Sequence, residues 1–294
     1  MDHGFDVAWN ERRIMKPVAF DPMEFALPTE IGDCILETAI RAARTAGAIQ
    51  MRHFRTPGLR ATGFLHDVKL ETDRACEAAI LAAVRTRFPD HAVLTEESGR
   101  LPGAGECTWI LDPLDGTVNF WHGLPFFCTS IACYRTLDGP SARPAGGLPG
   151  LPVAGVVYLP FSRELFHARP GRGAFLNGRP VCIPPAGTPA EAVVSVSFGK
   201  RPETMRRMTQ RLDRLLPRVR KARCLGAAAA ELAYVAAGFL NGLFYEGLKV
   251  WDFAAGKIIL EEAGGLFEAA ETEPDQWRVL AGGSAVIDMM RAPH

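Results

Sequence analysis

Three short acidic segments hold the residues best suited to chemistry: Glu96-Glu97, Asp112-Pro113-Leu114-Asp115-Gly116-Thr117 and Trp251-Asp252-Phe253-Ala254-Ala255-Gly256. Carboxylate oxygens from separated places, with histidines and cysteines in no ligand-like spacing, suit a hard cation such as Mg²⁺. The middle segment carries more. An Asp-Gly-Thr turn entering a helix offers backbone N–H groups to an anion, directly beside the carboxylates. Metal ligands, an anion cradle and a hydroxyl together point to hydrolysis of a phosphate ester.

Each segment also has a plainer reading. Asp-Pro and Asp-Gly are common turn dipeptides. Adjacent glutamates usually mark a solvated loop, and Asp252 suits a helix N-cap. Context favours the chemistry. Ala92-Val93-Leu94 and Trp109-Ile110-Leu111 read as strands, each running straight into acidic residues. That places the carboxylates at the carboxyl edge of a sheet, where α/β folds bind ligands. Pro113 fixes the chain between the two aspartates, so both carboxylates and the Leu114 carbonyl can converge on one cation. Trp251 before Asp252 and the small residues after it imply tight packing around that carboxylate.

The elements that must position these groups alternate. Helical spacing of Ile35, Leu36, Ala39, Ile40, Ala43, Ala46 and Ile49 predicts a helix from Ile31. A second helix is expected from a Thr72-Asp73 cap to Pro89. Strands are expected at Cys128 to Tyr134, Val153 to Tyr158, Glu164 to Ala168 and around an Asn177-Gly178 hairpin turn. The last third reads as strand 193–198, helix 203–216, helix 227–237, strand 243–245 and a helix capped by Asp252 that ends at Gly264-Gly265. Such alternation implies a mixed α/β architecture of stacked layers with buried sheets. Residues 1–30 are expected to form a loosely packed extension, and 139–152, rich in Gly and Pro, a long exposed loop. The remainder, 31–294, is read as a single domain, with a metal-binding half over about 31–185 and a substrate-facing half over about 186–294.

At 294 residues and 48% hydrophobic content the chain can bury a large core. Its balanced charge of +0 asks globally for neither nucleic acid nor an acidic membrane. No apolar run approaches the ~20 residues of a membrane span, and the acidic start lacks a signal-peptide stretch. Seven scattered cysteines without a Cys-x-x-Cys pair fit reduced thiols and a cytoplasmic location. One segment departs from neutrality: residues 200–223 hold Arg201, Arg206, Arg207, Arg211, Arg214, Arg218, Arg220 and Lys221 against Glu203 and Asp213. A solvated basic face is its ordinary meaning; attraction of a strongly anionic substrate or of RNA is the alternative.

The ordered set Glu-Glu-Ser, then Trp109-Ile110-Leu111-Asp112-Pro113-Leu114-Asp115-Gly116-Thr117-Val118-Asn119-Phe120, then Trp251 to Gly256 resembles the inositol monophosphatase family of Mg²⁺-dependent, lithium-sensitive phosphatases. Asp67 to Asp73, Phe120 to Pro125 and Gly173 to Gly178 extend the resemblance, which covers about Ile31 to Ala285. It implies the layered fold of that family and of fructose 1,6-bisphosphatase, a homodimer, and two or three Mg²⁺ ions. By resemblance, Glu96, Asp112 and the Leu114 carbonyl hold the first ion; Asp112, Asp115 and Asp252 hold the second; a weaker third sits near Glu96 and Asp73. Thr117, with Asp73 behind it, orients and deprotonates the attacking water, with Glu97 also in the catalytic set. The substrate lies against Asp115, the Gly116 and Thr117 amides, Gly226-Ala227-Ala228, and Tyr245 or Glu246. Inositol 1-phosphate is the first expectation for the substrate; fructose 1,6-bisphosphate, histidinol phosphate and a 3′-phosphorylated nucleotide are alternatives. A reading of another class is a protein that binds RNA or transcription machinery through 200–223.

The chain departs from the family at the substrate end. Inositol-specific members carry a glutamate seven residues before the last aspartate, where this chain has Tyr245, with Glu246 one residue later. A one-residue bulge would bring Glu246 to the pocket. Asp67-Val68-Lys69-Leu70 also lacks a threonine common in the corresponding family stretch.

Overall fold

A computed structural model describes residues 27–56, 61–64, 67–136, 147–184, 187–199 and 201–291, with backbone alone for 61–64 and 67–69. Most of the expected N-terminal extension (1–26) and of the expected loop (137–146) lies outside the described residues.

The first half opens with helix α1 (Thr29–His53), a hairpin of β1 (Ala61–Phe64) and β2 (Asp67–Leu70), and helix α2 (Glu71–Arg87). An eight-stranded sheet follows: β3 (Ala92–Thr95), β4 (Gly99–Leu101), β5 (Cys107–Asp115), β6 (Cys128–Thr136), β7 (Gly150–Leu159), β8 (Glu164–Arg169), β9 (Gly173–Leu176) and β10 (Arg179–Val181), with helix α3 (Thr117–Trp121) after β5. Its spatial order is β10-β9-β8-β7-β6-β5-β3-β4, antiparallel except for the β3–β5 pair. The second half supplies β11 (Val193–Val196), α4 (Pro202–Leu215), β12 (Lys221–Arg223), α5 (Ala228–Ala236), β13 (Gly242–Leu248), α6 (Val250–Glu262), β14 (Leu266–Glu273), β15 (Gln276–Gly282) and α7 (Ser284–Arg291). Its five strands order as β12-β11-β13-β15-β14.

Side-chain alternation assembles five layers, the layered α/β fold expected. On α1, Ile35, Ala39, Ala42, Ala43 and Ala46 make one apolar stripe and meet Cys76, Ile80 and Val84 of α2. Both helices cover Trp109 and Leu111 of β5 and Ile131 of β6. The intervening residues Ile110 and Ala132 face the other way, toward α5 and α6. Those two helices form the middle layer, because Leu243, Tyr245, Val279 and Ala281 of the second sheet close over them. Phe244 and Leu280 point oppositely and meet Met208 of α4 and Ile287 of α7.

Small residues let α6 sit this deep. A Cβ on Gly256 would lie 2.6 Å from the Leu232 Cβ of α5, and one on Gly155 of β7 would lie 2.8 Å from the Ala255 carbonyl. The Tyr134 hydroxyl donates to the Ala254 carbonyl at 3.0 Å and the Ser130 hydroxyl to the Trp251 carbonyl at 3.3 Å. The first turn of α6, which carries Asp252, is thereby pinned to β6.

Two helix starts differ from expectation for one reason. Asp73 and Asp252 each sit at the third position of their helix rather than before it. Their carboxylates reach back to the N–H groups of Leu70 (2.6 Å) and Lys249 (2.7 Å), the backward half of a capping box. The Asn177-Gly178 turn joins β9 to β10 with both residues at positive φ, 50° and 77°, as a two-residue hairpin of this type requires. The β1–β2 hairpin, β4, β12, β14, β15 and α7 are elements the sequence reading did not name.

Replacing Gly256 by Val forces a branched side chain between α5 and α6. Overpacking of this kind costs about 1–3 kcal/mol, so the urea midpoint falls with little change in slope. A wild-type midpoint would show that the two helices have room to spare.

Candidate metal and phosphate site

The site begins where β5 stops pairing regularly with β6. Asp112 lies opposite Ser130 but Asp115 lies opposite Cys128, so β5 carries one extra residue there. Pro113 has no N–H to give the ladder. Its carbonyl accepts instead from the Gln50 side-chain amide of α1 (2.8 Å) and the Thr129 hydroxyl (3.2 Å), and Gln50 also donates to that hydroxyl at 2.9 Å. Within the bulge the Leu114 N–H donates to Asp112 Oδ1 at 3.1 Å, and the Thr117 hydroxyl donates to the Leu114 carbonyl at 2.9 Å. Gly116 turns the chain into α3 with φ 87°, and a Cβ there would crowd Ala227 and the Phe126 carbonyl, each at 3.1 Å. Glycine is the residue that accepts both conditions.

Asp112 is the electrostatic centre. It is 2% exposed. Burial drives its carboxyl well above the usual range, and Glu96, Asp115, Asp252 and Asp73 each push it further, in that order. Five of the predicted acidic residues, carried on β5, on the turn after β3 and on the first turns of α2 and α6, therefore act on one another. Asp115 is pushed up to about 7, first by burial and then by Glu231 and Glu96. The Ala229 N–H of α5 (2.8 Å) and the Cys128 thiol (3.5 Å) pull the other way.

The Glu96-Glu97 turn owes its shape to buried Glu77 of α2. This carboxylate accepts from the Thr95 hydroxyl (2.6 Å), the N–H groups of Glu97 (3.2 Å) and Ser98 (3.3 Å), and the Ser98 hydroxyl. The Glu96 N–H bonds the Leu111 carbonyl at 3.3 Å, tying the turn to β5.

At the predicted substrate end, the loop 225–228 is shaped by Glu231, a fully buried residue of α5. Its carboxylate accepts from the N–H groups of Gly226 (2.9 Å) and Ala227 (3.2 Å) and from the Tyr245 and Ser195 hydroxyls. Burial pushes Glu231 up to about 7 against those hydrogen bonds. Asn119 of α3 donates to the Leu225 carbonyl at 2.6 Å and joins this loop to the Asp-Gly-Thr turn.

Tyr245 and Glu246 go to opposite faces of β13. A register shift does occur between Tyr245 and Leu248, yet it does not turn Glu246 toward α5. Glu246 Oε2 accepts from Arg207 of α4 (2.9 and 3.1 Å) and Oε1 from Arg278 of β15 (3.1 Å), while Tyr245 reaches Glu231. The expectation that a bulge brings Glu246 to a hydroxyl pocket is corrected on that geometry: strand alternation sends it to the α4 side, where two guanidiniums hold both oxygens. The basic run is likewise partly engaged by contacts within the fold. Arg201 pairs with Glu273, Arg211 stacks 4.0 Å over Phe244, and Arg218 donates to the Met289 carbonyl at 3.4 Å. Arg206, Arg214, Arg220, Lys221 and Arg223 are exposed.

Gln50, Glu77, Thr129 and Glu231 were not singled out from sequence. Gln50 had a readable signal, a polar residue on the apolar stripe of α1 two turns after Ala43; the others resemble ordinary helix or strand residues. The donor set suits a hard divalent cation. Its atoms are oxygens, and its central carboxylate is buried among like charges that a cation would relieve.

The raised values at Asp115 and Glu231 fix a pH dependence for metal-free protein. The folded state holds protons that the unfolded chain, titrating near 3.8 and 4.5, has already released. Stability from these two groups is therefore complete at low pH and is lost as pH climbs toward about 7. Thermal midpoints measured in chelator should fall across that window and recover on adding a hard divalent cation in excess. A midpoint that rises steadily instead would contradict the burial argument.

The profile of the inositol monophosphatase family matches residues 32–292. The chain is 38% identical to "Nus factor SuhB" of Pasteurella multocida over 79% of its length and 84% of the relative's. It is 39% identical to "Inositol monophosphatase 2" of Solanum lycopersicum over 79% and 85%. Among solved structures, the extragenic suppressor protein SuhB of Bartonella henselae superposes with TM-score 0.77 at 30% identity, covering 88% of this chain and 97% of that one. The inositol monophosphatase of Anabaena sp. PCC 7120 superposes with TM-score 0.74 at 31% identity, covering 88% and 94%. With the acidic segments gathered around Asp112 in this fold, and a match spanning nearly all of its described length, the chain belongs to the inositol monophosphatase family.

Proposed function

We propose that this chain is a Mg²⁺-dependent phosphomonoesterase acting on a small phosphate ester, inositol 1-phosphate first. The observation that carries the reading is buried Asp112, with Glu96, Asp115, Asp252 and Asp73 all acting on it. Glu96, Asp112 and the Leu114 carbonyl would hold one ion, Asp112, Asp115 and Asp252 a second, and Glu96 with Asp73 a weaker third. When bound, Mg²⁺ supplies Lewis acidity to the phosphoryl group and to the attacking water.

The chain's own groups do the orienting. Thr117 spends its hydroxyl proton on the Leu114 carbonyl, which leaves the oxygen as an acceptor for a water O–H. Asp73, with Glu97 nearby in sequence to Glu96, completes the proposed base. The Gly116 turn sets the amides of Gly116 and Thr117 at the start of α3 to meet the phosphoryl oxygens as charge develops. Hydroxyl recognition is assigned to the loop Gly226-Ala227-Ala228 and to Tyr245, whose hydroxyl bonds Glu231. Fructose 1,6-bisphosphate, histidinol phosphate and 3′-phosphorylated nucleotides belong in the same turnover panel. A homodimer in the cytoplasm is part of the proposal, and sedimentation of the purified chain checks the dimer.

A second reading has its own support: relatives at 34–38% identity carry the name Nus factor, and exposed basic residues cluster on α4 and β12. Binding of RNA or a transcription factor, weakened by reversing Arg206 and Arg214, would favour it.

Asp112→Asn and Asp252→Asn should each reduce Mg²⁺-dependent turnover at least a thousandfold while circular dichroism stays native; near-normal rates at low Mg²⁺ would refute the ligand assignment. Li⁺ and Ca²⁺ should both inhibit, since one replaces Mg²⁺ in an all-oxygen site and the other imposes longer, looser coordination. Full rates with either ion in excess would count against the mechanism. Tyr245→Phe should impair inositol phosphate more than an aryl phosphate, whereas Glu246→Gln should lower thermal stability and leave the substrate ratio alone. The reverse pattern would return Glu246 to the pocket.

A further inference from the structure

At the opposite end of β5 from the carboxylates, three side chains with soft ligand atoms meet. One ring nitrogen of His91 and the sulfurs of Cys107 and Cys133 all lie within 4.8 Å of one another. Cys107 opens β5, roughly 17 Å along the strand from Asp112 at ~3.4 Å per residue. Cys133 of β6 stands opposite Trp109, which makes Cys107 its diagonal neighbour on the same face. Both cysteines are 1% exposed, and all seven in the chain are free thiols. Sequence spacing hid the group, because its members are 16 and 26 residues apart.

Buried thiols often serve only as small apolar side chains. This pair differs in what stands beside it. The Cys107 and Cys133 sulfurs lie within 4.8 Å of each other, and Cys133 holds the Cys107 thiol below its usual range against the effect of burial. The His91 ring is set by two aromatic neighbours, stacked on Phe88 at 4.8 Å and accepting the Trp109 indole N–H on Nδ1 at 3.0 Å. His91 is half-buried and leaves a route from solvent.

We propose that His91, Cys107 and Cys133 form a site for a thiolate-preferring d¹⁰ cation of the Zn²⁺ class. Bond lengths of ~2.3 Å to sulfur and ~2.0 Å to nitrogen place tetrahedral ligand atoms about 3.3–3.8 Å apart. Small side-chain rotations close the present group to that spacing. Two thiolates cancel the charge of a divalent cation, and a neutral assembly is what a buried position tolerates. Binding releases two thiol protons to solvent, and a water on the His91 side completes the fourth position. The imidazole keeps its single proton. Coordination through Nε2 moves that proton to Nδ1, and coordination through Nδ1 displaces the indole, so Trp109 loses its partner either way. Oxygen ligands and sulfur ligands select different metals, so this site and the carboxylate site do not compete.

The test uses full-length protein, reduced and stripped with chelator, with Mg²⁺ then in excess to occupy the carboxylates. Titration with Cd²⁺ should develop an ultraviolet thiolate-to-metal charge-transfer band that saturates at one equivalent, together with a change in tryptophan emission. Cys107→Ser and Cys133→Ser should each weaken binding at least tenfold and the double variant should abolish the band. Cys182→Ser with Cys224→Ser, both at exposed positions, should leave it intact. Zn²⁺ should displace Cd²⁺ in calorimetry. Absence of the band in wild-type protein overturns the proposal whether or not the variants fold. So does a band that survives in a folded double variant or disappears with Cys182 and Cys224.

Discussion

Burying several carboxylates in one place is the constraint to which the rest of this fold answers. Moving an isolated carboxylate from water to a low-dielectric interior costs several kcal/mol even after relaxation, and like charges nearby add to that cost. Asp112 meets both conditions, since it is nearly inaccessible and four other acids act on it. A chain that only needed to fold would place apolar residues there.

The surrounding architecture lowers the cost with main-chain N–H groups. Each of the four aspartates gives one oxygen to the backbone: Asp112 to Leu114, Asp115 to Ala229, Asp73 to Leu70 and Asp252 to Lys249. The last three hydrogen bonds lie at the starts of α5, α2 and α6 respectively. The positive ends of three helices therefore converge on one cluster, each favouring negative charge by a few tenths to about 1 kcal/mol. These bonds also hold one oxygen of each of the four aspartates in place, a restraint that free side chains at a sheet edge would lack. The small residues of α6 follow from the same demand, because Asp252 reaches the cluster only if its helix packs against β6, β7 and α5 at close range.

What could be read from the residues divides along the same line. The acidic segments, the strands leading into them and the layered α/β class were legible, because alternation and turn chemistry are local signals. Asp73 and Asp252 were recognised as cap formers but placed one role too early, since a carboxylate can cap from the third helical position as well as from the first. Gln50 showed only as a polar residue on the apolar stripe of α1, and Glu77 and Glu231 gave no signal of their own. Their significance comes from what they touch, Pro113, the Glu96 turn and the 225–228 loop, and those contacts span 63, 20 and 5 residues. Only the folded chain brings the first two pairs together. Glu231 was close enough in sequence, yet a glutamate in the first turn of an alanine-rich helix looks like an ordinary dipole partner.

Strand alternation separates the aspartate cluster from the Glu246 ion pair. The aspartate cluster is built from β3, β5 and the starts of α2 and α6, all anchored to the eight-stranded sheet. The Glu231 group depends on α5 and on one face of β13 in the second sheet. On that strand, adjacent acidic and phenolic side chains diverge: Tyr245 joins the buried Glu231 group, and Glu246 closes an ion pair with Arg207 and Arg278. Removing one partner of such a buried pair strands a charge, whereas changing Tyr245 to Phe takes one donor from the Glu231 carboxylate and leaves it those of Gly226, Ala227 and Ser195. Substitution on the α5 face of β13 thus changes the hydrogen bonding around Glu231 while the aspartate cluster, held by its own helix termini, keeps its geometry. The aspartate cluster and the Glu231 group therefore belong to different layers of the fold, joined through Asp115 and Asn119, whose hydrogen bonds cross to α5 and to the loop before it.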